Sequence, residues 1–500
     1  MKKLIYLLLA LVMVLSLCAC GGQDTPTTTG GDSVADTTTG AAVDEMPKVF
    51  MAGFGKADIT PEEFGVPMQG YGNGRTRLSN GLYSYIYSVA LAVRDADGNT
   101  AIIISVDNAA VGETYCKQVA EKIEQESGVP ASNVLLTAIH QHSTPAYDVV
   151  DIPTSNRYSV LFVDRIVESA LDALDDLAPA EMYTATATAD AISFVRHYLC
   201  KDGSYAGDNY GTIASGIVRH ESEADNDLQM VKFVREGQKT VKGKDAENIL
   251  FCNFQGHPHS GTSSGDTNIS ADVPGVFRDE VEAATDCRVM YVSGAQGNLN
   301  MKSAVEEENK YGTYKERGKS LANTAIKALK DDAFTKVETG KVGISNLVFE
   351  GKTDHTMDHL VQEATAIADV WQRTLNSGEA MKKGTSGEIH SVYHAEAIIS
   401  KAKEGPTKTM PVLAISFGDV AICGGPYEMF DTNGMEIKAG SPFKMTFIAN
   451  MVNGTQGYIP SAMSYKNGCY SADITRYAPG SGEELRDTFL NMLKGLRDAQ

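Results

Sequence analysis

Short apolar runs bounded by polar residues alternate along this chain with longer stretches whose hydrophobic positions recur every three to four residues. The first pattern predicts buried strands and the second amphipathic helices. Tyr83 to Val93 and Ala101 to Val106 predict an antiparallel pair joined by the turn signal Asp95-Ala96-Asp97-Gly98. Asn133 to Thr137, Leu228 to Val234, Asn248 to Cys252, Val289 to Val292, Val342 to Phe349, Val412 to Phe417, Val420 to Cys423 and Phe443 to Ile448 are further strands. Helices are predicted over Tyr115–Gln125, Ser159–Leu174, Pro274–Ala284, where proline falls in the first turn, and Glu483–Leu496. The alternation implies an α/β (α+β) architecture, a mixed β-sheet core with flanking helices. No internal repeat is visible. Thr353 to Glu404 departs from the alternation, with helical patterns over Met357–Leu375 and His390–Lys403 and the sole tryptophan, Trp371. It reads as a helical insertion, either a cover over a site or a packing element on the flank.

The N-terminus carries a different signal. Met1-Lys2-Lys3, an apolar stretch from Leu4 to Leu17 too short to span a bilayer, and then Leu17-Cys18-Ala19-Cys20 resemble a bacterial lipoprotein signal. Cleavage before Cys20 would leave that cysteine linked to diacylglycerol. Residues 21–47, rich in threonine and glycine, lack the bulky side chains a core needs and read as a flexible tether. The expectation is a lipid-anchored protein on the extracytoplasmic face of the membrane, with a globular domain over residues 48–500. A formal net charge of −20 argues against nucleic acid as a partner and against electrostatic attachment to anionic lipid. Nothing signals an obligate protein partner. The cysteines beyond Cys20 form no Cys-x-x-Cys pair, and Cys252, Cys287 and Cys423 fall in or beside apolar strands as buried thiols.

Four of the ten histidines lie in two runs, His140-Gln141-His142 and His257-Pro258-His259, each directly after a predicted strand. Strand ends and the loops beyond them are where α/β proteins place chemistry. Two imidazoles arriving from distant parts of the chain suit a zinc site, although His-x-His alone is equally compatible with surface loops. Glu428, after Val420–Cys423 and a Gly-Gly-Pro turn, is a candidate metal ligand or general base, or a helix-start carboxylate. Tyr458 follows the strand Phe443–Ile448 and a glycine-rich loop. His355/His359 and His390/His394, at helical spacing without a neighbouring ligand motif, read as surface or insertion-packing histidines.

Taken in order, these segments resemble the neutral, non-lysosomal ceramidases in their N-terminal catalytic domain. The resemblance rests on Gly53 to Thr60, Met68 to Tyr71, Ile104 to Asp107, Thr137 to Ser143, Phe194 to Tyr198, Gly256 to Ser260, Pro426 to Phe430, Gly457-Tyr458, and Tyr465 with Tyr470. It implies one Zn2+ per chain held by His140, His257, Glu428 and Tyr458, with His142 beside the metal holding or relaying a proton. Arg196 and Tyr470 would hydrogen-bond the substrate carbonyl oxygen as charge develops on it. The implied activity is zinc-dependent hydrolysis of a linear amide, ceramide or another N-acyl compound, by zinc-activated water. Two departures qualify it. Asn300, in Gly297-Asn298-Leu299-Asn300, stands where the family has a serine; it cannot act as a nucleophile, but its amide can still stabilise an oxyanion. The C-terminal β-sandwich of the full ceramidases is not expected here. Asn300 also lends support to a rival reading, a non-catalytic surface lipoprotein that binds a ligand at a degenerate site. His259 replaces a small polar residue and receives no role.

Overall fold

The computed structural model describes residues 47–500 except 72–74, 208–212, 214, 262–264 and 378–387. Cys20, the expected lipidation site, and nearly all of the expected tether lie outside the described residues. Met46–Gln500 form one compact unit.

Its architecture repeats one connectivity three times. The first module comprises β1 (Met51–Asp58), β2 (Tyr87–Arg94), β3 (Thr100–Val106), α1 (Glu113–Ser127), β4 (Val134–Ala138) and α2 (Pro153–Asp175). The second comprises β5 (Glu181–Thr188), β6 (Asp227–Val234), β7 (Asn248–Phe254), α3 (Asp272–Ala284), β8 (Cys287–Ser293) and α4 (Tyr314–Lys330). In the third, β9 (Val342–Lys352) leads through an insertion holding α5 (Val361–Ser377) and α6 (Val392–Lys401) to β10 (Thr407–Phe417) and β11 (Val420–Gly424). Then come α7 (Asp431–Gly440), β12 (Met445–Ala449), α8 (Ala462–Asn467), α9 (Tyr470–Ile474) and α10 (Ser481–Asp498). The sheet orders correspond: β4-β3-β2-β1, β8-β7-β6-β5 and β12-β11-β10-β9. In each sheet only the pair joined through a crossover helix is parallel, namely β3/β4, β7/β8 and β11/β12. Every other pairing among these twelve strands is antiparallel.

Strands β3, β4, β7, β8, β11 and β12 read as continuous apolar runs because both of their faces are covered. One face of all three sheets turns onto a common core that includes Leu91, Ile103, Val231, Phe251, Val292, Ile415, Ile422 and Phe447. Alternate residues face the helices: Ile102 and Ile104 meet α1 and α2, Val289 and Tyr291 meet α3 and α4, and Ala421 and Cys423 meet α10. Polar side chains near the strand ends join the modules. Thr137 donates to the carbonyl of Asn450 (2.5 Å), Ser293 to that of Ile139 (2.9 Å), and Asn253 to that of Ile448 (3.0 Å). Asp107, just after β3, accepts both Nη groups of Arg278 on α3, the Nη1 contact at 2.7 Å, with both residues buried. Asp107→Ala would strand a buried guanidinium. It is expected to lower unfolding stability by about 3–5 kcal/mol in denaturant titration, whereas replacing both partners with apolar residues would cost far less.

The expected mixed sheets and flanking helices are present, with two corrections of extent and several elements that the sequence pattern did not signal. The strand expected from Tyr83 starts at Tyr87: Tyr83 and Tyr85 are exposed, and the Tyr83 N–H donates to the Ile269 carbonyl at 2.8 Å, away from this sheet. Helix α2 begins earlier, at Pro153, as a first-position proline allows. Helices α4 and α7 and strand β5 were not signalled: β5 is mostly alanine and threonine, and α7 is almost apolar-neutral around its axis. The insertion carries its own small core of Ala364, Ile389, Ala395 and Ile398. Cys252, Cys287 and Cys423 are buried free thiols.

Candidate metal centre

The carboxyl ends of the parallel strand pairs meet, and each module brings side chains there. His140 follows β4, His257 follows β7, Gly297 to Asn300 follow β8, and Glu428 follows β11. His140 has left-handed backbone (φ 64°), a conformation a β-carbon disfavours. It is held there by Nδ1–H donating to the Ala109 carbonyl at 2.7 Å and by Gln141 N–H donating to Asn108 at 3.2 Å. Nδ1 of His257 donates to the carbonyls of Gln296 (2.9 Å) and Leu299 (3.1 Å). A carbonyl can only accept, so both rings carry their proton on Nδ1 and turn an Nε2 lone pair inward.

Those lone pairs converge. Nε2 of His140 lies 3.2 Å and Nε2 of His257 3.0 Å from the same carboxylate oxygen of Glu428. Distance alone does not make the latter a hydrogen bond, and among the described residues neither His257 Nε2 nor Glu428 Oε2 has a hydrogen-bond partner. Two acceptors buried face to face are a costly arrangement that a cation resolves. Nε2 of His142 stands 3.3 Å from Nε2 of His140, and the ligand atoms of His140, His142 and His257 all lie within 4.8 Å of one another. The donors therefore fit a borderline divalent metal: three imidazoles that could hold an ion, with a carboxylate beside them. The backbone carbonyls behind two of the rings are the orienting partners such ligands need. His142, read from sequence as beside the metal, is thus within ligand reach.

Electrostatics favour the neutral form of two of the three imidazoles. Burial pushes His257 down to about 3 and His142 well below the usual imidazole range, so both keep their lone pairs at neutral pH. Against the cost of burial, Glu428 holds His140 above its ordinary value, and the two imidazoles hold the Glu428 carboxyl far below its own. Tyr458 pairs with Glu428 in the two-residue ladder Glu428–Met429/Tyr458–Ile459. Burial and the neighbouring carboxylate push its phenol well up, so it would ionise only beside a compensating cation. Gly70 (φ 100°) presses on His142, where a β-carbon would meet the His142 Cα at 2.3 Å.

The remaining candidates surround this cluster. Arg196 is buried; its Nη2 donates to the Gly297 carbonyl (2.8 Å) and Ser471 (3.3 Å), and its guanidinium lies 5.6 Å from the Tyr458 ring centre. Tyr470 opens α9, edge-on to Tyr458 at 6.3 Å. Asn300 bridges to His257 through the backbone, and its side-chain oxygen lies 3.1 Å from His259 Nε2. His259 also packs against His142 (5.1 Å between ring centres), a role its sequence position did not reveal. The loop bearing Asn300 is anchored by a reciprocal pair that sequence reading missed. Asn298 donates to the Asp431 carboxylate (2.7 Å), and Asp431 N–H donates to Asn298 (2.9 Å).

Burial raises the Asp431 carboxyl to about 6. The folded protein then binds this proton more tightly than the unfolded chain between about pH 4 and pH 6. Its contribution to stability is present below that window and is lost as pH rises through it, by about 3 kcal/mol. Unfolding midpoints measured across pH for the protein and for Asp431→Asn should differ by that slope and run parallel outside the window.

Residues 50–199 match the family described as neutral/alkaline non-lysosomal ceramidase, N-terminal. The neutral ceramidases of Drosophila melanogaster and Drosophila pseudoobscura pseudoobscura are each 22% identical over 228 residues, 44% of this chain. The match spans 30% of the length of these curated relatives. Among solved structures, the neutral ceramidase from Pseudomonas aeruginosa is similar with a TM-score of 0.65 at 17% identity, over 91% of this chain and 75% of that one. A ceramidase complexed with C2 is similar with a TM-score of 0.65 at 16% identity, over 90% and 76%. Over these spans the chain is similar, at low identity, to neutral ceramidases, and it shares their α/β fold.

Proposed function

We propose that this chain is a zinc-dependent hydrolase of a linear N-acyl amide, of the ceramide class, acting at the outer face of the membrane. The observation that carries the reading is the convergence of two backbone-oriented imidazoles on Glu428, with His142 alongside. His140, His257, Glu428 and Tyr458 would hold the metal, with His142 as a further imidazole within reach. A zinc ion bound there would polarise the amide carbonyl and make water nucleophilic near neutral pH.

The protein's own groups divide the rest of the work. His142, neutral and with Nε2 facing the cluster, would accept the proton given up by the attacking water once His140 Nε2, which it now faces at 3.3 Å, is turned to the metal, and would pass it toward the leaving amine. Arg196 supplies a fixed positive charge on the side of Gly297 and Tyr458, where the carbonyl oxygen gains charge. Tyr470, edge-on to Tyr458, would donate to the same oxygen. The Asn300 carbonyl oxygen can only accept, so His259 donates to it from Nε2, which leaves the Asn300 NH2 as the donor for substrate.

The lipid anchor at Cys20 and the tether would keep this site near lipid substrates. Metal analysis of the purified chain, followed by hydrolysis of N-acyl amides of graded chain length including ceramide, tests the reading. Stoichiometric zinc with turnover of at least one amide is expected. A zinc-free protein sinks it, and a zinc-loaded protein inert toward all of these amides favours the ligand-binding lipoprotein suggested by Asn300. Cys20→Ala should release the protein from membranes in fractionation.

A further inference from the structure

A second cluster of potential ligands lies where the insertion meets the tyrosine segment. His390 and His394 flank the first turn of α6, which is capped by the Ser391 hydroxyl accepting from His394 N–H at 3.1 Å. Asp473 faces them from α9. Nδ1 of His390 lies 2.6 Å and Nδ1 of His394 3.6 Å from one oxygen of Asp473, and the three ligand atoms are all within 4.8 Å of one another. The helical i, i+4 spacing read from sequence as packing therefore has a carboxylate partner that arrives from a distant part of the chain.

The hydrogen bonding points inward. The His390 backbone N–H donates to His394 Nδ1 at 3.3 Å, so that nitrogen carries a lone pair and the His394 proton sits on Nε2. Nδ1 of His394 and the Asp473 oxygen are then two acceptors facing each other at 3.6 Å, too far apart and wrongly paired for a hydrogen bond. His390 supplies a donor to each, its backbone N–H to His394 Nδ1 and its Nδ1–H to the Asp473 oxygen at 2.6 Å, so a cation held by the three ligand atoms would take the place of the long 3.3 Å hydrogen bond and of the His390 proton. In a tetrahedral zinc site with bonds of about 2.0–2.1 Å, ligand atoms sit about 3.3 Å apart, within the spread seen here. Burial is graded in a way that suits a site with one open position. The side chains of His394 and Asp473 are 2% and 18% exposed, whereas that of His390 is 52% exposed and can adjust. Two imidazoles and one carboxylate favour zinc over calcium or magnesium.

We propose that His390, His394 and Asp473 form a second zinc site, structural in role, that clamps α6 of the insertion onto α9. The clamp acts next to the central cluster: Tyr393 on α6 meets Tyr470 edge-on at 6.4 Å, and Tyr470 in turn meets Tyr458. The proposal does not depend on the amide-hydrolase reading.

The test is zinc chloride titrated into the chelator-stripped full chain, with bound metal counted by mass spectrometry. Two equivalents are expected for the unaltered protein and one for each of His390→Ala, Asp473→Asn and His140→Ala. Combining His140→Ala with Asp473→Asn should leave none. Zinc should also slow proteolysis within the insertion at least tenfold in His140→Ala and not in His140→Ala/His390→Ala. His390→Ala, at a half-exposed position, and Asp473→Asn carry the test if His394→Ala fails to fold. The proposal is overturned if both variants bind as much zinc as the unaltered chain, or if that chain binds a single equivalent that His140→Ala removes. Loss of zinc in His390→Ala alongside full retention in His140→Ala would instead sink the central metal reading and leave this one standing.

Discussion

His140→Ala is expected to strip the central zinc and to lower amide turnover by about a thousandfold or more, since the metal is assigned several kcal/mol of the barrier. The loss follows from convergence: Glu428 Oε2 sits within 3.2 Å of both Nε2 atoms, and removing one imidazole takes one lone pair from the set that would hold the ion. A companion substitution separates binding from strain. His140 holds a left-handed φ of 64°, which glycine adopts freely and alanine does not. His140→Gly should therefore be just as zinc-free and inactive, yet more stable than His140→Ala by about 1 kcal/mol in denaturant titration. Equal stability of the two would mean that the backbone strain is absent. Retention of zinc by both would remove His140 from the site.

Asn300→Ala is expected to lower kcat by about a hundredfold, with zinc content and KM little changed, as for loss of one donor to a developing oxyanion. His259 is the reason to expect so specific an effect. Burial, with the nearby Arg196 charge, pushes its imidazole down to about 4, so it is neutral at pH 7 and holds Asn300 as a donor without adding charge. His259→Ala should give a smaller loss, about tenfold, and the double variant should be no worse than Asn300→Ala alone. That non-additivity is the signature of one residue acting through another. Additive losses would show that His259 serves some other purpose, and an unaffected kcat in Asn300→Ala would remove Asn300 from the reaction.

Much of this arrangement was legible in the sequence, for a physical reason. Strands covered on both faces must be apolar throughout, so β3, β4, β7, β8, β11 and β12 announced themselves, and the polar residues just beyond them stood out. His140, His257 and Glu428 are such residues, and they do come together. Strand β5 and helix α7 did not show, because Ala, Thr and Gly satisfy their surroundings without a strong pattern. The threefold connectivity was hidden because each module fills its share of the core with different side chains, leaving nothing periodic to detect. His259 and Asp431 gained meaning only from partners far away in the chain, Asn300 and Asn298.

The repeated module has a consequence for how the site comes into being. Residues 50–199 include His140, His142 and Arg196, yet His257 and Glu428 belong to the second and third modules. No module alone holds the whole set, so the centre is a report on the docking of all three. Each docking closes a long loop, and the entropy of that closure is lost before the non-local contacts repay it. A cation bound only by the assembled ends would stabilise the docked state by RT ln(1 + [L]/Kd). Zinc availability would then set how much of the chain reaches its final form as well as how fast the finished protein turns over substrate.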